Sequence, residues 1–334
     1  MKMARIAFVG AGEMANAVHY PSLRAFDDVD IVGICDIDEG RLNATAQRWG
    51  IVRKYYDYRT MVNELQPDGV YVVGLPHIMF DIWVWCLQQG CNLYIEKPMG
   101  LTLHQAEVLA NLADEHKCIT QVSHQRRTSP LLFKMKDACN AHGPVTHAVC
   151  EFYKWSPQPM LGARDRMMDD GVHAIDTLRW MCGGEVIGLD SEAKRVGTGD
   201  INWPAALLYF DNGSTGALLC NWASGRRVFR VEMHSPGAAC DAEVEGKAYL
   251  YEDGDYDGNC YDAKEVAGNP GRLIFVASLA GQGCSSQRQL TCATPRGGAG
   301  CPDDVAGAVL CLPSPLASFV TGEVLDVNGG PGFS

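Results

Sequence analysis

The segment Gly10-Ala11-Gly12-Glu13-Met14-Ala15 constrains the fold of this chain more than any other. It follows an apolar run, Ala4 to Val9, and opens a helical pattern from Met14 to Phe26. A G-x-G-x-x-A turn between a strand and a helix has a physical logic at each small residue. Gly10 permits the tight turn, Gly12 lets the backbone approach a pyrophosphate, and Ala15 allows close packing of helix on sheet. The helix N-terminus offers free N–H groups and the positive end of the helix dipole to an anion. Asp36 closes the next apolar run, Val29 to Cys35, 24 residues after Gly12. A carboxylate there accepts hydrogen bonds from adenosine ribose hydroxyls and repels a 2′-phosphate. The expected cofactor is therefore NAD, with NADP disfavoured.

The rest of the first 124 residues repeats this alternation. Helical patterns cover Glu39 to Trp49, Thr60 to Leu65, Phe80 to Gln89 and Leu103 to His116. Short apolar runs cover Gly69 to Gly74, Cys91 to Ile95 and Ile119 to Ser123. Such alternation predicts an α/β architecture with a parallel, doubly wound sheet. Beyond Ser123 the pattern turns strand-rich. Strands are expected at Val145 to Phe152, Pro204 to Phe210, Thr215 to Trp222, Val228 to Met233 and Lys247 to Tyr251, with a helix near Gly171 to Met181. Asn212-Gly213 between two apolar runs signals a hairpin. The expected organisation is a Rossmann dinucleotide-binding domain at 1–124, a substrate and oligomerisation domain with a mainly antiparallel open sheet at 125–268, and an atypical tail at 269–334.

Charge and cysteine content narrow the function classes. Twenty-eight Lys and Arg against 40 Asp and Glu give a net charge of −12, which supplies no electrostatic drive toward nucleic acid or anionic lipid. No run approaches the ~20 apolar residues of a membrane span. Met1 to Arg5 leads straight into a strand without a signal-peptide pattern, so a cytoplasmic location is expected. The 14 cysteines are scattered singly, with no Cys-x-x-Cys pair, and read as small buried hydrophobes; no metal site is expected.

Two motifs carry chemistry. Glu96-Lys97-Pro98 ends a strand of the parallel sheet, where ligands bind, so Lys97 is aimed at the reacting end of a bound nucleotide. Asp169, His173 and Asp176 stand at i, i+4 and i+7, on one face if the segment is helical. A carboxylate beside an imidazole orients it and raises its basicity, which suits a general base on an alcohol. A capped helix start with a buried histidine fits the same spacing.

Together with Gln125-Arg126-Arg127-Thr128-Ser129-Pro130, these segments resemble the glucose–fructose oxidoreductase/inositol dehydrogenase family, Gfo/Idh/MocA, over residues 4–260. The resemblance implies reversible oxidation of a secondary alcohol on a sugar, cyclitol or glycoside. It implies Lys97, Asp169 and His173 as catalytic residues, with His173 as acid/base, Lys97 on the reacting hydroxyl and Asp169 tuning or relaying. It implies a cofactor site along Gly10, Gly12, Glu13, Met14, Ala15, Asp36, Leu75, Pro76, His77, Glu96 and Gln125. Arg127, Lys154 and Asp176 become substrate contacts, and Lys97–Pro98 a candidate cis bond. The small-molecule substrate would be met by a homo-oligomer, a dimer or tetramer. Two other readings of the same residues remain open: a redox-neutral enzyme working through a transient ketone, and a non-catalytic nucleotide or sugar sensor.

The sequence departs from the family at Leu75-Pro76-His77 and at Gly162-Ala163-Arg164-Asp165. The tail is the larger anomaly. Gly271 to Gly281, Pro302 to Gly307 and Phe319 to Gly330 resemble the C-terminal part of short-chain dehydrogenases without that family's Tyr and Lys. Two readings stay open: a graft, partly disordered and with no active site of its own, or chance similarity in an ordinary C-terminal segment.

Overall fold

The computed structural model describes residues 3–158 and 166–266. The tail, and the loop residues Gly162 to Asp165, lie outside the described residues. The chain divides into two compact units between Ser123 and His124.

The first unit is a six-stranded parallel sheet. Its strands are β1 (Ala4–Val9), β2 (Val29–Cys35), β3 (Lys54–Tyr55), β4 (Gly69–Val72), β5 (Leu93–Ile95) and β6 (Thr120–Val122). They lie in the order β3-β2-β1-β4-β5-β6. The order reverses between β1 and β4, which opens a crevice beyond their carboxyl ends. β4 and β5 are buried at every position, as a sheet covered on both faces requires. Phe8, Tyr71 and Tyr94 face one another across β1, β4 and β5 in register. Their rings form a ladder, with centroids 5.5 Å apart for Phe8–Tyr71 and 4.3 Å for Tyr71–Tyr94. Tyr20 stacks on Phe8 at 4.2 Å, so the first helix is anchored to the sheet by the same aromatic column.

The crossovers are α1 (Tyr20–Arg24), α2 (Glu39–Trp49), α3 (Tyr58–Leu65), α4 (Pro76–Gln88) and α5 (Leu103–Glu115). Local capping explains where they differ from the sequence reading. α3 begins two residues before Thr60 because Asp57 accepts from the Arg59 and Thr60 amides at 3.1 and 3.3 Å. α4 begins at Pro76, not Phe80, because proline is pre-set for the first helical position and Leu75 is extended before it. Met14 to Phe26 is not one regular helix: Ala15–His19 forms a π turn ahead of α1.

The second unit is an eight-stranded mixed sheet with two main helices. In chain order come α6 (Pro130–His142), β7 (His147–Trp155), α7 (Val172–Cys182), β8 (Val186–Lys194), β9 (Trp203–Phe210) and β10 (Thr215–Asn221). β11 (Ala223–Ser235), β12 (Ala238–Glu243), β13 (Lys247–Glu252), β14 (Asn259–Asp262) and the short α8 (Ala263–Val266) follow. The strand order is β14-β13-β12-β11-β7-β10-β9-β8. Among the described strands of this sheet only the β7–β10 pair is parallel. β9 and β10 form the hairpin signalled by Asn212-Gly213, with Gly213 at φ 85°. α7 packs on β7 and β10, and α6 on β11, β12 and β13. The covered positions alternate along the strands: Ala148, Cys150 and Phe152 on β7, Leu218 and Cys220 on β10, Val231 and Met233 on β11.

Eight of the described cysteines are buried, as small hydrophobes are. Burial pushes the Cys35 thiol up to about 12 and the Cys118 thiol up to about 11, so both stay protonated at neutral pH. No described helix is long and apolar enough to cross a membrane.

Candidate functional site

In the first unit the glycine turn is held from several sides. Gly10 sits at φ +109°, and a Cβ there would lie 2.0 Å from the Val73 carbonyl oxygen. At Gly12 a Cβ would meet no heavy atom within 4 Å. Gly12 thus leaves open space on the side a phosphate would approach, while Gly10 is required by the fold. The Asp36 carboxylate accepts from the Ala11 amide at 2.7 Å and from the Asp38 amide at 2.8 Å. The Arg41 guanidinium reaches the same carboxylate at 3.1 Å. Asn16 and Thr45, which the sequence reading passed over, brace the turn from beneath. The Asn16 amide donates to the Ala11 and Gly12 carbonyls at 3.0 Å and to the Thr45 hydroxyl at 2.9 Å. Trp49 of α2 fixes Asn16 by an indole N–H bond of 2.9 Å. Ala15 is fully buried where helix meets sheet, while Glu13 and Met14 are exposed at the helix start. An open glycine cradle, a helix start and a carboxylate at the end of β2 fit a dinucleotide.

Along the carboxyl edge, Leu75 and His77 are exposed and Pro76 is buried at the start of α4. Glu96, which the resemblance gives to the cofactor site, is held by partners within the unit. It is 6% exposed, pairs with the buried His19 at 2.9 Å and accepts from the Lys97 amide at 2.8 Å. The His19 ring in turn stands edge-on to Tyr71 and Tyr94. Glu96 therefore ties the backbone of Lys97 to the aromatic column. The Lys97 side chain is half-buried, and the Lys97–Pro98 bond is cis. Glu96→Ala leaves His19 buried without this acceptor, a loss of about 1–3 kcal/mol. The urea midpoint should fall with an unchanged slope; Glu96→Gln, which keeps an acceptor, should lose less. Equal midpoints for Glu96→Ala and the parent protein would refute the pairing.

In the second unit a loop and a helix face each other rung by rung. The loop after β6 carries His124 and, three residues on, Arg127. α7 carries His173 and, three residues on, Asp176. The His124 and His173 rings meet edge-to-face with centroids 6.3 Å apart, and Arg127 pairs with Asp176 at 3.2 Å. His173 is 6% exposed and Asp176 5%. Gln125 is exposed at the head of the intervening turn.

One turn before His173 the buried carboxylate is Asp170, not Asp169. Asp170 forms an ion pair with Lys154 of β7 and accepts from the Trp222 indole at 3.2 Å. The cause is a π turn at Met167–Gly171, whose i→i+5 pattern alters the rotation per residue before α7 begins. Asp169 is half-buried. An α-helical i, i+4, i+7 face therefore does not describe this segment: its buried carboxylates and imidazole are Asp170, His173 and Asp176. Arg126, beside Arg127, pairs with Glu245, and that bond holds the Glu245 carboxyl below the usual range. His124, Asp170, Trp222 and Glu245 were not legible as site residues. Their signal is spatial and lies in no local spacing. Among the described residues no cluster of three or more His, Cys, Asp or Glu is placed to hold a metal ion.

Comparison with known proteins follows the two-unit division. Residues 4–124 match the oxidoreductase family with NAD-binding Rossmann fold, GFO/IDH/MocA. Residues 138–236 match the GFO/IDH/MocA C-terminal domain. The chain is 26% identical over 256 residues to the rhizopine catabolism protein MocA of Rhizobium meliloti, covering 74% of this chain and 77% of that one. It is 22% identical over 227 residues to the myo-inositol 2-dehydrogenase of Thermotoga maritima, covering 64% and 67%. An oxidoreductase from Agrobacterium radiobacter, solved with NAD+, L-tartaric acid and magnesium, shares the fold. Its TM-score is 0.73 at 17% identity, over 92% of this chain and 95% of that one.

Proposed function

This chain belongs to the GFO/IDH/MocA family of NAD-binding oxidoreductases, and from that membership we propose that it oxidises a secondary alcohol of a sugar, cyclitol or glycoside. The observation that carries the reading is the buried His173 imidazole, with buried carboxylates three residues before it, at Asp170 of the π turn, and three residues after it, at Asp176 of α7. Burying such a row costs stability unless its members are paired, and rows of this kind concentrate at functional sites. When bound, the nicotinamide supplies the acceptor for the two electrons that leave the carbinol carbon. His173 takes the hydroxyl proton, Lys97 is the second proton-handling group, and Asp169 tunes His173. Glu13, Met14, Leu75, Pro76 and His77 are assigned to the cofactor, with Gln125 as a further contact. Arg127, Lys154 and Asp176 are assigned to the substrate.

The test is a single-turnover experiment on the full chain. The protein is loaded with NAD, pooled sugars and cyclitols are added, and NADH fluorescence is read. Appearance of NADH supports the reading, and the pool is then split to find the substrate. Binding of NAD with no reduction by any member sinks it in favour of a sensor. Turnover that leaves no net NADH favours redox-neutral chemistry. The open face of the eight-stranded sheet bears half-exposed Leu207, Tyr209 and Tyr249, and we assign it to self-association. Sedimentation of the purified chain as a monomer at all concentrations would reject that assignment.

A further inference from the structure

Three cations of the second unit each have a carboxylate partner. Lys154 is paired with Asp170, Arg127 with Asp176, and Arg126 with Glu245. Two of the three carboxylates are buried, Asp170 at 9% and Asp176 at 5% exposure. Asp170 is fixed twice, by Lys154 and by the Trp222 indole. These pairs decide what the face can recognise.

A carboxylate or phosphate bound by Lys154 or Arg127 would have to displace a buried aspartate. That aspartate would be left charged and without its cation, which is the costly way to break a buried pair. A hydroxyl meets no such conflict. It accepts from a lysine or arginine N–H and donates to a carboxylate lone pair at the same time, so it can join an ion pair without breaking it. Asp176 offers an acceptor for such a donor: its Oδ2 is buried and makes no hydrogen bond among the described residues.

We propose that the second unit selects an uncharged polyhydroxylated substrate against its carboxylate and phosphate analogues, and that Asp170, by neutralising Lys154, sets this preference. The proposal rests on the dehydrogenase reading for the existence of a substrate and goes beyond it in naming the charge class. Neither the match to the family nor the relatives' names assign a role to Asp170.

The experiment uses the NAD-loaded full chain and pairs of probes that differ in charge: methyl α-D-glucoside against D-glucuronate, and myo-inositol against myo-inositol 1-phosphate. Binding is measured by titration calorimetry, and NADH fluorescence is read from the same samples. The neutral member should bind at least ~10-fold more tightly than its charged partner. Asp170→Asn frees the Lys154 charge and should shift that ratio at least ~10-fold toward the charged member. Adding Lys154→Met to Asp170→Asn should restore the neutral preference. Equal or tighter binding of the charged member by the parent protein overturns the proposal, as does failure of every neutral probe to bind. If Asp170→Asn does not fold, the parent protein's ratio alone decides. Neutral binding without NADH leaves the charge preference standing while the dehydrogenase reading falls.

Discussion

Gly10→Ala should destabilise the first unit and weaken NAD binding together, whereas Gly12→Ala should weaken NAD binding alone. The two glycines stand two residues apart in one motif and do different things. At Gly10 an alanine has to hold φ +109°, a backbone region that costs an L-residue about 1–3 kcal/mol. Its Cβ would also sit 2.0 Å from the Val73 carbonyl oxygen. Backbone cannot rotate away as a side chain can. The turn must shift, taking with it the Gly10 N–H bond to Cys35 at 2.9 Å and the Val73 N–H bond to Val9 at 2.9 Å. Those bonds join the ends of β1, β2 and β4, so a large drop in urea midpoint is expected, several times that of an ordinary surface change of about 0.5 kcal/mol. Gly12→Ala meets nothing within 4 Å and should leave the midpoint within that ordinary range. Its methyl group intrudes only on a pyrophosphate, so NAD affinity should fall at least ~10-fold. An unchanged midpoint in Gly10→Ala would contradict the close approach. Normal NAD affinity in Gly12→Ala would mean that the cradle does not hold the pyrophosphate.

The legibility of this chain follows the range of the interactions involved. The parallel sheet was readable because each βα unit announces itself within a few residues. β1, the glycine turn and Asp36 are fixed by local pattern, and Asp36 does reach back to the turn, although it touches the Ala11 amide as a support. The bounds of α3 and α4 were missed through capping, since Asp57 and Pro76 lie outside the apolar periodicity that located the helices. α6 was not expected from the sequence, although Pro130 stands at its first position. β8 and β12 escaped as well: β8 is a half-exposed edge strand, and β12 alternates small and charged residues, so neither shows a hydrophobic run.

The site was legible by residue type and less so by role. Lys97, His173, Arg127, Lys154 and Asp176 were named from sequence, but the carboxylate that pairs with Lys154 was not. Lys154 and Asp170 are brought together by a strand and a π turn, and Arg126 and Glu245 by a loop and a strand end. The π turn also undid the inference that Asp169, His173 and Asp176 share an α-helical face, since that inference assumed 3.6 residues per turn throughout. The resemblance gave Glu96 to the cofactor site, and its partners within the unit were not legible. Its own two oxygens are taken up by His19 and the Lys97 amide.

His173→Gln and Lys97→Met should each abolish most turnover and leave NAD bound, and the pattern of loss should identify their roles. General acid–base catalysis contributes about 10²–10⁴-fold, so kcat on the substrate found above should fall by that order in His173→Gln. Glutamine fills much of the imidazole's space and can still hydrogen-bond, so α7 should keep its place on β7 and β10. If His173 is the base, the acid limb of the kcat/KM profile should disappear with it. Lys97→Met keeps the length of the side chain and removes its charge. If Lys97 acts on the reacting oxygen, kcat and kcat/KM should fall together; if it only holds ground-state substrate, KM should rise with kcat unchanged. If both residues handle one proton, the double variant should lose little more than the worse single one. Losses that multiply would separate them into independent steps. A His173→Gln protein that turns over at near the parent rate would leave the buried row on α7 as structure, and the dehydrogenase assignment would lose the observation that carries it.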